Sequence, residues 1–73
     1  MTEKEIVDYI KKEIKVYEEN VKKFCTLARE KLNADDIDSA LQYQDAVNRA
    51  SDYACALRDV LRFIEGDINE KEN

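Results

Sequence analysis

Seventeen acidic side chains, twelve basic ones, four tyrosines, two cysteines and no histidine are the chemical material of this 73-residue chain. Without histidine there is no Ser-His or Cys-His nucleophile pair, and the commonest metal ligand is missing. Cys25 and Cys55 have no CxxC or Cys/His spacing around them, so a zinc site is not expected. The acids crowd once, at Asp35-Asp36-Ile37-Asp38, but that run lacks the glycine and the distal bidentate glutamate of a calcium loop. Capping a helix is the chemistry it suits. No catalytic residue, metal ligand or cofactor is expected, and no enzyme.

Two arrangements could bind something. Asp45, Asp52 and Asp59 recur every seven residues and so share one helix face, a candidate surface for a protein partner. Tyr9 lies one turn from Lys12 and Tyr53 one turn from Arg49. An aromatic ring beside a cation can stack a base and neutralise a phosphate, which makes these four the candidate contacts for a small nucleotide. The lysines of the first half do not form a basic patch. Asp8 with Lys12, Glu18 with Lys22 and Glu19 with Lys23 stand at the favourable i,i+4 spacing of a solvated, ion-paired face. Net charge is −5, and residues 33–73 carry ten acids against four basic groups. An acidic balance argues against nucleic acid as a partner.

These groups need elements to hold them, and the apolar spacing supplies two helices. Val7, Ile10, Ile14, Tyr17, Val21, Phe24 and Ala28 repeat as 3, 4, 3, 4, 3, 4. Ala40, Tyr43, Val47, Ala50, Ala54, Leu57, Leu61 and Ile64 repeat in the same way. With no proline and one glycine the chain lacks the punctuation of a β or α/β fold. The spacing predicts an all-α antiparallel hairpin over residues 1–66: helix 1 over about 3–32, a bend at 33–35, and helix 2 over about 36–65. Thr2 and Glu5 make a capping box for the first helix. Asn33 suits a left-handed position at its end, Asp35 or Asp36 suits the second N-cap, and Gly66 suits the stop. Residues 67–73 read as a flexible acidic tail. Small residues at Ala46, Ala50 and Ala54 face Tyr17, Val21 and Phe24, so large side chains meet small ones.

A hairpin of this size hides one face of each helix and is marginal alone. Ile6, Leu27, Leu41, Tyr53, Val60 and Phe63 lie off the seam, and Ile6, Leu27, Leu41, Val60 and Phe63 are the candidate self-association residues. Two hairpins packed as a four-helix bundle would bury them, so a homo-oligomer, a dimer first, is expected, with a protein partner of unknown identity beyond it. No apolar run is long enough for a membrane span and no signal peptide is evident, which points to the cytosol of a bacterium or a phage-infected host. With the bend near residue 34, Cys25 and Cys55 differ in height by about 16 Å, so both are expected to be free thiols.

The tract from Asp35 to Tyr43 resembles the turn and second-helix start of one tetratricopeptide unit. The Leu32-Asn33-Ala34-Asp35-Asp36-Ile37-Asp38-Ser39-Ala40 bend, with the chain's size and acidic tail, resembles the plasmid Rop regulators. That resemblance implies a hairpin that dimerises into a four-helix bundle and binds paired RNA loops. Tyr17-Glu18-Glu19, followed by Asp45-Ala46-Val47 and Ala50, is similar to the phage anti-CBASS proteins, which implies a helical oligomer that sequesters a nucleotide signal. Small size and richness in lysine, glutamate and asparagine fit a phage accessory protein.

Overall fold

A computed structural model describes the backbone of residues 1–72 and the side chains of residues 1–66. Two helices, α1 (Glu3–Asn33) and α2 (Ile37–Glu72), fold against each other as an antiparallel hairpin, and no strand occurs among the described residues. At the start of α1 the Thr2 N–H donates to Glu5 Oε1 at 3.3 Å and the Glu5 N–H donates to Thr2 Oγ1 at 3.2 Å. Two amides that the helix leaves unpaired are thereby satisfied, as the Thr-x-x-Glu spacing implies.

The bend is a Schellman turn. The Asp36 N–H donates to the Lys31 carbonyl at 2.9 Å and the Asp35 N–H to the Leu32 carbonyl at 3.1 Å, closing the last turn of α1. The left-handed residue is Asp35, at φ 59, and not Asn33, which stays helical as the last residue of α1. Helical hydrogen bonding continues to the end of α1, the Ala34 N–H still donating to the Glu30 carbonyl at 3.1 Å, so the reversal falls past Ala34 on the next residue able to adopt that backbone. Asp35→Gly is expected to stabilise the fold by about 0.5–1 kcal/mol, read as a higher urea midpoint with an unchanged slope.

Of the two cap candidates the structure selects Asp36, whose Oδ1 accepts from the Ser39 N–H at 3.2 Å. Hydrogen bonds from Ser39 hold the Asp36 carboxyl below its ordinary pKa, with a smaller contribution from Lys31. A depressed carboxylate stabilises the fold above its unfolded pKa, and that contribution disappears as pH falls through the folded value. Stability should therefore drop below about pH 4, and Asp36→Asn, which caps without titrating, should flatten that part of a urea-melt pH series.

The stripes become the seam. Val7, Ile10 and Ile14 of α1 and Ala40, Val47, Ala50 and Ala54 of α2 are buried, Ala54 most of all at 2% exposed. The remaining stripe residues are half-buried. Phe24 stacks on Tyr43 with ring centroids 6.1 Å apart, and Tyr17 on Tyr53 at 5.4 Å. Taking Val7 and Ala40 as a positions and Ile10 and Tyr43 as d positions, the e and g positions fall on opposite sides of the seam. The e side is bridged by charge: Lys11 pairs with Glu65 at 3.3 Å and Arg58 with Glu18 at 3.3 Å. Glu18 thus reaches across to the facing helix and not along its own helix to Lys22. These pairs are largely exposed and each contributes less than about 1 kcal/mol, so they set register more than stability.

Gly66 does not end α2. Its φ is not positive, a Cβ placed on it would meet nothing within 4 Å, and the helix runs on to Glu72. One glycine in an exposed helix costs only about 1 kcal/mol and the residues after it include no proline, so nothing there forces a stop. Most of the segment expected to be a flexible tail accordingly continues the helical backbone, while its side chains and Asn73 lie outside the described residues. Both cysteines are free, Cys25 half-buried and Cys55 exposed.

Candidate interaction surfaces

A two-helix layer has two broad faces, and here they differ. Their sides follow from the step of about 100° per residue. The g side carries Ile6, Glu13, Asn20 and Leu27 from α1 and Ser39, Ala46, Tyr53 and Val60 from α2, with Tyr9, Val16 and Phe63 on its rims. Phe63 is 80% exposed, Tyr53 59% and Val60 47%. The e side is the charged, bridged one over its open half. Near the bend it becomes an apolar groove of about 400 Å³ that includes Cys25, Ala28, Leu32, Ile37 and Leu41. Of the self-association candidates, Ile6, Leu27, Val60 and Phe63 therefore share the g side, whereas Leu41 belongs to the groove on the opposite face.

Asp45, Asp52 and Asp59 occupy f positions, the outermost line of α2. Asp45 is held by Arg49 at 2.8 Å and Asp59 by Arg62 at 3.6 Å. The row is thus a line of acid–arginine pairs with Asp52 between them, and its field is weaker than three bare carboxylates would give. Arg49, Asp52, Tyr53 and Ala56 line one shallow depression. Neither Tyr9 nor Lys12 lines it. The Arg49 guanidinium is already bound to Asp45, and Tyr53 lies against Tyr17, which leaves little in that depression for a phosphate.

Among the described residues no polar or charged side chain is buried, and no three acids or thiols converge where they could hold a cation. No described helix is long and apolar enough to cross a membrane. The features the spacing argument passed over are Glu13 and Asn20 on the g side and the cross-helix ion pairs on the e side. Carrying the two heptads past a and d would have found them, because Lys11 and Glu18 are e residues of one helix and Arg58 and Glu65 those of the other. No protein-family model matches the chain, and no curated protein or solved structure is significantly similar to it.

Proposed function

We propose that this is a non-catalytic interaction protein that works as a homo-oligomer, its hairpins joined through their g sides into a four-helix bundle. One observation carries the reading: Tyr53, Val60 and Phe63 stand exposed along one face while no large side chain among the described residues is fully buried. A chain that leaves Tyr53, Val60 and Phe63 outside, and whose buried residues are only alanine, valine and isoleucine among those described, is supported by a second layer. The f-position acids of α2 would remain on the outside of such a bundle, open to a protein partner.

If folding and association are coupled, stability depends on concentration by mass action. The melting temperature should therefore rise with protein concentration, by several degrees over a hundredfold range. A melting temperature independent of concentration, with a monomeric sedimentation coefficient throughout, would overturn the reading.

A further inference from the structure

The g side is complementary to itself in one orientation, an inference that rests on the self-association proposed above. We infer that two hairpins pack g side to g side about a two-fold axis at the height of Tyr17 and Tyr53, with their bends at opposite ends. Such an axis lies in the interface, perpendicular to the helices, and sets each helix antiparallel to its own copy. A residue then meets the one equally far beyond the axis.

On α1 this puts Ile6 against Leu27 of the partner subunit and Glu13 against Asn20 of the partner subunit. On α2 it puts Val60 against Ala46 of the partner subunit, and Tyr53 against its own copy. Each match is chemically consistent: apolar meets apolar, a large side chain meets a small one, and a carboxylate acceptor meets an amide donor. Glu13 and Asn20 are both half-buried between the apolar Ile6 and Leu27, so each would need a partner once that face is covered.

The height of the axis on α2 follows from its height on α1. The g residues Ile6 to Leu27 are centred between Val16 and Tyr17, and the Tyr17 and Tyr53 rings are stacked 5.4 Å apart. An axis at that centre therefore crosses α2 close to Tyr53, with Ala46 and Val60 equally far on either side. Packing with the bends at the same end would instead set each α1 against α2 of its copy, whose g residues Ser39, Ala46, Tyr53 and Val60 include no amide or carboxylate to match Glu13 and Asn20. The strip from Ile6 to Leu27 is about 30 Å long and about 20 Å wide. That gives on the order of 600 Å² per copy, close to the roughly 800 Å² that a standard interface takes from each partner.

The test is a change of sign at one position, read by sedimentation equilibrium on the full chain. Asn20→Asp sets two carboxylates against each other twice per dimer and should weaken the dimer at least tenfold, whereas Asn20→Lys should hold or tighten it. In a Cys25→Ser, Cys55→Ser background, Tyr53→Cys should oxidise to a disulfide-linked dimer and Glu13→Cys should not. A dimer indifferent to Asn20→Asp, or one cross-linked through Glu13→Cys in place of Tyr53→Cys, overturns the proposed axis while leaving self-association standing. A wild-type chain that is monomeric removes the reading on which the axis rests.

Discussion

Replacing Val47 by aspartate should abolish the folded hairpin. Val47 is 7% exposed in the third turn of α2, on the buried line with Ala40 and Ala54. No basic group among the ion pairs of the described residues lies on that line, so the new carboxylate would be buried uncompensated, at a cost of about 3–5 kcal/mol or more. A chain of this length has a total stability on the order of 4–10 kcal/mol. The loss therefore takes most or all of it, and circular dichroism at 25 °C should show a largely unfolded chain. Asn48→Asp adds the same charge one residue on, at an exposed site where the Gln44 amide already donates to Asn48 Oδ1 at 3.2 Å. That variant should stay within about 0.5 kcal/mol of wild type. A Val47→Asp protein that kept its helicity and its assembly would mean that the seam has been assigned to the wrong face.

The second large effect is on association. Tyr53 and Val60 occupy neighbouring g positions and are both about half exposed in the single hairpin. If they are central to the contact between copies, each substitution by lysine should cost about 2 kcal/mol of association, since central anchors carry most of an interface's energy. Together they should raise the dissociation constant by roughly a thousandfold. The f-position triple change of Asp45, Asp52 and Asp59 to lysine should leave it nearly unaltered, because those side chains point away from either broad face. Sedimentation equilibrium separates the two outcomes, and equal sensitivity at f and g positions would argue that the contact is not on the g side.

The hairpin could be read from the chain because its periodicity is strong. The 3, 4 spacing from Val7 to Ala28 and from Ala40 to Ile64 identifies every buried residue among those described, down to Ala54. The Thr2–Glu5 capping box was legible for the same reason, since local chemistry at a helix start needs only local sequence. What depended on finer competition was less accessible. Asn33 and Asp35 both tolerate a left-handed backbone, and the choice fell to the one that followed the last hydrogen-bonded turn. Gly66 carries a stop signal with no steric or hydrogen-bonding reason to be obeyed. Glu18 had two reachable cations, Lys22 along the helix and Arg58 across it, and only the register of the seam decides between them. The candidate surface was half legible. The apolar flanks were visible, but assigning Leu41 to one face and Val60 to the other takes the full heptad on both helices.

Native mass spectrometry of the gently purified full-length protein tests the central claim most directly. A species at twice the 8.5 kDa chain mass, persisting at low micromolar concentration and lost in the Tyr53→Lys, Val60→Lys variant, is the expected result. A single 8.5 kDa species for the folded wild type at the same concentration would contradict it.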